Sequence, residues 1–370
     1  MEPYIPRSLP PDNIDWVRHI ELMGKANRAL AKYNGILNGM VNQDILLSPL
    51  TTQEAVLSSK IEGTRVTLED VLEYNADLRS KFDTEQTRDI IEVENYRLAM
   101  NRAVDLLRYD PLTTDTLREL HRILLTGARG RNKEPGKIRT TQNYIGHNGA
   151  TIESAIFIPP KPEDVGPALQ NWETYLRMDE KDPIIQLALL KAQFELIHPF
   201  LDGNGRIGRM LVPVIFYYKK ILSSPLFYVS AYFEGHQLQY YTRLNAISRE
   251  DDWDGWISFF LQAIFEQAEN NCGKATEILH LYNVMKPKID ETLKSRYSIQ
   301  VLDFLFSCPV FTSTKFIKET HIPKQSAVNL IHQLEKDEII VVRKKGKGRT
   351  PSSYRFERLL EISQYSNYNK

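Results

Sequence analysis

The chain contains little cysteine, no excess of charge and no long apolar run. Its two cysteines, Cys272 and Cys308, are too few for a disulfide framework and are typical of a protein from a reducing compartment. The 47 basic residues balance the 47 acidic ones, so no overall charge draws the chain to nucleic acid or to a membrane. No apolar run reaches the roughly 18 residues that a membrane helix needs, and the proline-rich start lacks the pattern of a signal peptide. We therefore expect a cytoplasmic protein that makes no membrane contact.

Most of the 370 residues follow a helical pattern, in which apolar side chains recur every three or four positions. Residues 183–197 are apolar nearly all round, which is typical of a helix buried at the centre of a domain. The patterns predict helices after the proline-rich start, at about 52–62, from about residue 67, and over residues 85–108, 113–126, 163–177, 183–197, 205–220, 236–248 and 252–269.

The helix predicted at about 52–62 has recognisable signals at both ends. Thr51 is followed three residues later by Glu54, the spacing of a capping box that opens a helix. Gly63 is suited to end the helix in a left-handed conformation.

Two segments depart from the long-helix pattern. Residues 139–158 alternate short β-like runs around Asn148 and Gly149, the strongest short signal for a β-hairpin. From about residue 296 the pattern predicts three short helices followed by a two-stranded ribbon with a basic glycine turn. The chain is therefore expected to be a large helical domain with one inserted hairpin and a small appended module.

The segment HPFLDGNGRIGR, residues 198–209, has the composition of an anion cradle. Gly203 and Gly205 let the backbone approach a ligand closely, because they carry no Cβ. The helix that starts there presents unpaired N–H groups and the positive end of its dipole.

Four side chains of the same segment supply the chemistry of phosphoryl-type transfer. Arg206 and Arg209 lie on one face of the helix and can bind phosphate oxygens. Asp202 is an oxygen ligand suited to a Mg²⁺ that already holds phosphates. His198 can take a proton from an attacking hydroxyl near neutral pH.

Two other nucleotide-binding motifs do not explain the segment. Residues 203–208 match GxGxxG, but a helix precedes them where a dinucleotide-binding fold has a strand. The basic loop around residues 130–138 has five residues between its glycines and an isoleucine after its lysine, so it is not a P-loop.

The segment matches, at every fixed position, the HPFx[D/E]GNGRxxR signature of the Fic (filamentation induced by cAMP) family. The resemblance extends to an all-helical core with a β-hairpin flap upstream of the motif. It implies that His198 is the general base, that Asp202 binds the Mg²⁺ and that the Phe200 ring is structural. The residues that the resemblance assigns to ATP binding within the motif are Gly203, Asn204, Gly205, Arg206, Ile207, Gly208 and Arg209.

Residues 58–63, SSKIEG, resemble the [S/T]xxxE[G/N] inhibitory motif of intramolecularly inhibited Fic proteins. The resemblance implies that Glu62 pairs with Arg209 and prevents Arg209 from engaging the γ-phosphate of ATP. In some related proteins the same glutamate supports the removal of AMP, so the reverse reaction stays open.

The hairpin 139–158 corresponds to the flap of the family, whose edge can hold a target segment by strand addition. His147 in this hairpin is interpreted as a solvated turn residue. Residues 230–247 resemble the adenosine side of the family, where His236, Tyr240 and Tyr241 are candidates for contacts with the base. Core packing of one of these tyrosines is the alternative.

The C-terminal module resembles a winged helix. Its predicted recognition helix presents outward Lys324, Gln325, Ser326 and Asn329, while Ala327, Leu330, Ile331 and Leu334 form an apolar stripe. Residues 341–355 contain no acidic residue, and such a wing is suited to DNA phosphates. Contact with another protein is the alternative. The basic residues of this wing are Arg343, Lys344, Lys345, Lys347, Arg349 and Arg355.

The expected fold is therefore mainly α: a Fic helical core with a β-hairpin flap and a small C-terminal winged helix-turn-helix domain. The expected boundaries are residues 1–110 for an N-terminal helical region that includes the inhibitory helix at about 52–62, residues 111–270 for the Fic core, residues 271–295 for a helical linker and residues 296–370 for the winged-helix module.

The resemblance implies a protein adenylyltransferase that moves AMP from Mg-ATP to Ser, Thr or Tyr hydroxyls of target proteins and of itself. It also implies that Glu62 keeps this activity low. Two alternatives stay open. The first is removal of AMP or another Fic-type phosphotransfer, and the second is a DNA-binding regulator whose core senses a nucleotide. The sequence also leaves a homo-oligomer open.

Overall fold

The computed structural model describes residues 2–79, 82–127, 132–146, 149, 151–346 and 351–364. The described chain is mainly helical, with one small sheet, as predicted. The helices are α1 (Trp16–Gly39), α2 (Gln43–Leu46), α3 (Ser48–Ile61), α4 (Leu68–Asn75), α5 (Thr84–Leu107), α6 (Thr114–Leu124), α7 (Pro162–Arg177), α8 (Pro183–Ile197), α9 (Asn204–Tyr218), α10 (Ser230–Gly235), α11 (Gln237–Glu250), α12 (Trp253–Leu293), α13 (Ser298–Ser307), α14 (Ser313–Thr320), α15 (Lys324–Lys336) and α16 (Glu357–Gln364). The strands are β1 (Val310–Thr312), β2 (Val341–Lys344) and β3 (Ser353–Arg355).

Helix α8 forms the centre of the large domain. Its residues 184–197 are all buried, and α1, α7, α9, α11 and α12 pack around it. The helix begins sharply because the Asp182 carboxylate accepts hydrogen bonds from the backbone N–H groups of Ile184 and Ile185, each at 2.9 Å. The prediction of a central buried helix over 183–197 is confirmed.

Helix α12 is much longer than the sequence pattern predicts. It runs without a break through 41 residues, so the expected helical linker at 271–295 is the second half of this helix. Its first half packs on α1 and α8, and the helix also contacts α13, α15 and α16 of the C-terminal module. The module is therefore attached to the large domain by a continuous helix.

Helix α3 begins earlier than its capping-box pattern indicates. Its first residue is Ser48, with Pro49 in the first turn, so Thr51 is not an N-cap. The Thr51 hydroxyl donates to the Leu47 carbonyl. The Glu54 carboxylate is buried, and it accepts hydrogen bonds from the Ser230 backbone N–H at 3.0 Å and from the Ser230 hydroxyl at 2.6 Å. At the other end Gly63 has φ +100°, the left-handed conformation predicted for it.

The flap is less regular than a two-stranded hairpin. Among its described residues one antiparallel bridge joins Ile145 to Phe157, and a short 3-10 helix covers Ile152–Ser154. His147 and Asn148 of the predicted turn lie outside the described residues. The first residues of the chain extend the flap, since the backbone N–H of Tyr4 donates to the Ile158 carbonyl at 2.9 Å.

The C-terminal module contains the three short helices and the two-stranded ribbon that were predicted, together with a strand, β1, and a last helix, α16, that were not predicted. Helices α13, α14 and α15 pack with an antiparallel sheet of order β1-β3-β2, in which Phe311 pairs with Tyr354. Helix α4, from the N-terminal region, also packs on this module.

No helix in the part of the chain that the structure describes is long and apolar enough to span a bilayer.

Candidate active site

The motif forms a tight turn between α8 and α9. His198 and Gly203 both have left-handed backbones, with φ of +49° and +77°, and these two residues bend the chain out of one helix and into the next. The Asn204 side chain holds the turn closed: its Oδ1 accepts from the Phe200 N–H at 2.9 Å and its Nδ2 donates to the Phe200 carbonyl at 2.8 Å. The buried Phe200 ring lies beneath the turn, as expected.

His198 is held as a neutral proton acceptor. Its Nδ1 lies 3.1 Å from the Glu195 carbonyl oxygen, which can only accept a hydrogen bond, so Nδ1 carries the proton and Nε2 keeps a lone pair. Burial lowers the pKa of His198 below its usual value, because the charged imidazolium is poorly solvated there. The half-buried ring can therefore accept a proton at neutral pH.

The structure brings Glu62 and Arg209 together. The Arg209 Nη2 donates to Glu62 Oε1 at 2.6 Å and to the Ser58 carbonyl at 2.8 Å, and its Nε donates to the Ser58 hydroxyl at 2.9 Å. Burial disfavours both charges, but the attraction between the two side chains outweighs this cost. Arg209 lowers the pKa of Glu62, and Glu62 raises the pKa of Arg209. The pair is fully ionised at neutral pH.

The Glu62 carboxylate lies directly against the N-terminal turn of α9. A Cβ added to Gly205 would come within 2.2 Å of Glu62 Oε1. A helix N-terminus attracts anions, and here the anion is a carboxylate of the same chain. The absence of a side chain at Gly205 is what allows this close approach.

Comparisons with known proteins identify the family to which this site belongs. Two family models match the chain, Fic/DOC family N-terminal over residues 20–105 and Fic/DOC family over residues 111–216, and together they cover more than half of it. The chain belongs to the Fic/DOC family. Residues 58–63 lie within the first matched region and residues 139–158 within the second.

The chain is also similar to named Fic proteins. Protein adenylyltransferase fic-1 of Caenorhabditis elegans is 36% identical over 110 residues, which are 29% of this chain and 20% of that protein. Protein adenylyltransferase Fic of Drosophila grimshawi is 31% identical over 162 residues, 41% of this chain and 30% of that protein. The matches thus span less than a third of the length of these relatives.

The whole described architecture resembles a solved Fic structure. A Fic family protein from Desulfovibrio desulfuricans G20 superimposes with a TM-score of 0.59 at 20% identity and covers 96% of this chain and 98% of its own. A Fic domain containing signaling protein from Bacteroides thetaiotaomicron has a TM-score of 0.55 at 17% identity, and the match covers 69% of this chain and 96% of that protein's chain. At these identities the likeness shows the fold.

Arg206 of the Fic motif is already paired inside the protein. It is buried, its Nη1 donates to Glu92 Oε2 at 3.0 Å, and its Nη2 lies 3.5 Å from Asp202 Oδ1. Glu92 on α5 thereby orients the guanidinium beside Asp202. Asp202 keeps 40% of its side chain exposed at the lip of the turn, where its Oδ1 also accepts from the Gly203 N–H at 2.6 Å.

Three residues of the expected ATP-binding set lie in tightly packed surroundings. The Ile207 side chain is fully buried, and Gly208 lets α9 approach α8, because a Cβ there would meet Glu195 Oε1 at 2.2 Å. Tyr240 is also buried, and its hydroxyl lies 2.8 Å from Lys191 Nζ and 3.1 Å from Glu195 Oε1. Its burial favours the alternative of core packing, and its assignment to the base stays a prediction.

The other two adenosine-side candidates remain accessible. Tyr241 is 46% exposed. His236 is half-buried, with its ring stacked on Tyr232 at 4.1 Å and its Nδ1 3.0 Å from the Tyr232 carbonyl oxygen.

Sequence reasoning missed Arg139, which joins the flap to the Fic turn. Its buried guanidinium donates to the carbonyls of His198 at 2.9 Å and Pro160 at 2.5 Å, and its backbone N–H donates to Pro199 at 2.9 Å. Burial lowers its pKa to about 10, so it stays charged. No local pattern distinguishes this arginine from its basic neighbours.

Sequence reasoning also missed His121 of α6. Its ring stacks on Phe200 at 3.8 Å, its Nδ1 accepts from the Gly136 N–H at 2.9 Å, and its Nε2 donates to the Asp202 carbonyl at 2.9 Å. Protonation of Nδ1 would place its N–H against the Gly136 N–H, so the hydrogen bond between them would be lost. Burial also disfavours the charged ring and lowers the pKa of His121 to about 4.

The wing is only partly available for an external ligand. Arg343 and Arg355 pair with Glu69 and Glu73 of α4. Lys347 and Arg349 lie outside the described residues. The exposed basic or polar side chains expected to face a ligand are Lys324, Gln325, Asn329, Lys344 and Lys345.

We predict that His121 makes the stability of the protein depend on pH. The unfolded chain takes up a proton at His121 below about pH 6.5, whereas the folded chain does so only near pH 4. The folded state therefore loses about 3 kcal/mol as the pH falls from about 6.5 to about 4. Denaturant unfolding at several pH values should show a smaller loss in His121→Gln. His332→Gln is the control, because that side chain is 69% exposed; equal pH profiles for both variants would contradict the prediction.

We predict that Gly205 and Glu62 are energetically coupled. Gly205→Ala should destabilise the wild-type chain by about 1–3 kcal/mol, because the new Cβ overlaps Glu62. In Glu62→Gly the same change should cost much less, since the nearest remaining atom, Arg209 Nη1, lies 3.0 Å from the new Cβ and alanine is the better helix former. A double-mutant cycle of unfolding free energies measures the coupling. Gly35→Ala in α1, where nothing lies within 4 Å, is the control and should have the same effect in both backgrounds; additive effects at Gly205 would disprove the contact.

Proposed function

We propose that this chain transfers AMP from Mg-ATP to Ser, Thr or Tyr hydroxyls of protein targets, and that Glu62 holds the transfer low. The carrying observation is the Glu62 carboxylate bound to Arg209 against the α9 N-terminus, beside a neutral histidine. The naming of relatives as protein adenylyltransferases supports the choice of reaction.

His198 acts as the base in this proposal. The target hydroxyl oxygen forms a bond to the α-phosphorus, the bond between that phosphorus and the bridging oxygen breaks, and pyrophosphate leaves. The hydroxyl proton passes to Nε2 of His198, while its Nδ1–H stays on the Glu195 carbonyl. The imidazolium formed is stabilised there by that hydrogen bond.

The phosphates bind at the turn between α8 and α9. Backbone N–H groups at the start of α9 and the positive end of its dipole favour negative charge. Arg206, oriented by Glu92, and Arg209 supply two guanidiniums that neutralise the charge on the leaving pyrophosphate. Catalysis then rests mainly on positioning and charge stabilisation.

A Mg²⁺ ion fits this donor set. Within the described ranges no group of three or more His, Cys, Asp or Glu residues could hold a metal alone. Asp202 offers one partly exposed carboxylate at the lip of the turn, and Mg²⁺ commonly combines one or two carboxylates with substrate phosphates. When bound, the ion would neutralise phosphate charge.

Glu62 inhibits by occupying the place of an anion. Its carboxylate is ionised and uses both the Arg209 guanidinium and the open face of Gly205. A phosphate group at that position would have to displace it and would be repelled by its charge. ATP then binds without the Arg209 contact, and the α-phosphorus is not presented to the hydroxyl.

The adenosine and the target protein bind on opposite sides of the turn in this proposal. Tyr241 and His236 provide exposed or half-exposed rings for the base. The target segment lies along the flap, whose position over His198 is fixed by Arg139.

Label transfer tests the proposed function. Purified protein and a host lysate are incubated with Mg²⁺ and either α-labelled or γ-labelled ATP. We expect protein labelling from α-labelled ATP alone. The rate of labelling should rise roughly tenfold or more in Glu62→Gly, which corresponds to an activation free energy lower by about 1.4 kcal/mol or more. The rise should vanish in Glu62→Gly with His198→Ala. Glu250→Gly, which changes a glutamate at the end of α11, is the control and should label like wild type.

Other outcomes would redirect the assignment. Labelling from γ-labelled ATP would indicate phosphotransfer by the same turn. No labelling in any variant would refute AMP transfer, and loss of label from an AMP-modified protein would then be measured.

A further inference from the structure

The inhibitory helix is held from outside the Fic core as well as by Arg209. Residues 62–67 are the whole connection between α3 and α4. Helix α4 packs on β1 of the C-terminal module, and α13 and α16 of that module contact α3 itself. The position of α3 thus depends on its contacts with α4 and with the C-terminal module.

Two arginines of the wing clamp α4 to the module. Arg343 on β2 contacts Glu69 at 3.1 Å and forms an ion pair with Glu73. Arg355 on β3 pairs with Glu69 and lies 3.7 Å from Glu73 Oε1. The two glutamates lie one helical turn apart, so both face the same side of α4. We refer to these four residues as the α4 clamp.

The α4 clamp surrounds a fully buried charge. The Glu73 side chain has no exposed surface, whereas Arg343 and Arg355 keep 28% and 20% of theirs. A buried carboxylate that loses its partners is strongly unfavourable, much more so than an exposed one. Removing the arginines therefore disfavours the docked position of α4.

An apolar contact accompanies the clamp. Leu68 and Leu72 of α4 cluster with Val310 of β1 and Leu360 of α16. In addition, Lys315 Nζ of α14 donates to the Asn75 carbonyl at the end of α4, at 2.6 Å. Helix α4 is thus bound along its length, and the connection to Glu62 is fixed at its far end.

We infer that the C-terminal module is a second restraint on the inhibitory helix, acting through the α4 clamp. With α4 docked, the short connection keeps Glu62 on Arg209. With α4 released, α3 loses its anchor on that side and Glu62 leaves the phosphate site more often. This inference rests on the proposed function for its effect on transfer, and on the geometry alone for its effect on α3.

The experiment compares two variants that each remove two positive charges from the module. The clamp variant is Arg343→Gln with Arg355→Gln. The control is Lys318→Gln with Lys336→Gln, two exposed lysines of α14 and α15. Hydrogen–deuterium exchange of backbone amides in residues 48–61 is measured in the full chain, together with label transfer from α-labelled ATP.

We expect exchange within α3 to accelerate by roughly tenfold in the clamp variant and to stay unchanged in the control. Label transfer should rise several-fold in the clamp variant and remain below that of Glu62→Gly. In a Glu62→Gly background the clamp variant should add nothing. Glu69→Gln, which weakens the clamp without exposing Glu73, should give an intermediate exchange rate and serves if the double arginine variant does not fold.

Two results would overturn the inference. One is unchanged α3 exchange in a folded clamp variant or in Glu69→Gln. The other is an equal rise of exchange in the lysine control, which would make overall charge the cause. If Glu62→Gly itself gives no label, the proposed transfer fails, and the exchange measurement still decides whether the clamp restrains α3.

Discussion

The structure depends on a buried arginine that requires an anion. Arg209 lies fully inside the protein in the second turn of α9, where a positive charge without a partner would be strongly unfavourable. The folded chain satisfies it with Glu62 and with the backbone and hydroxyl of Ser58. In the proposed function a phosphate replaces the carboxylate, because both groups are anions that a guanidinium can bind. The same requirement for an anion thus underlies both parts of the proposed function, the inhibition by Glu62 and the binding of a nucleotide phosphate.

The turn that precedes this arginine is held by polar contacts, some with distant segments and some within the turn itself. Arg139, His121 and the Asn204 side chain bind backbone carbonyls or N–H groups between His198 and Asp202. These contacts leave Nε2 of His198, the Asp202 carboxylate and the helix N-terminus as the groups that face a ligand. Conformational freedom of the turn is removed by the fold before any ligand arrives, which is how positioned groups contribute most to catalysis.

Local patterns in the sequence predicted local features well and long-range ones poorly. The bounds of α8 follow from apolar periodicity, and the left-handed Gly63 follows from the pattern that ends a helix. The juxtaposition of Glu62 with Arg209, which lie 147 positions apart, was implied by the family resemblance and by no local pattern. The start of α3 did not follow, because the Glu54 side chain binds Ser230 of a distant helix instead of capping its own. Which of the two adenosine-side tyrosines is buried did not follow either, since the buried hydroxyl of Tyr240 contacts Lys191 and Glu195 of α8.

The wing shows the same limit most clearly. A run of basic residues without acidic neighbours indicates a surface for phosphates only if no carboxylate from elsewhere in the chain reaches it. Here Glu69 and Glu73, more than 260 positions away, reach Arg343 and Arg355. The equality of basic and acidic residues in the whole chain is consistent with such internal pairing. Two arginines of the basic ribbon therefore form intramolecular contacts, and these contacts tie the last module to the helix that follows Glu62.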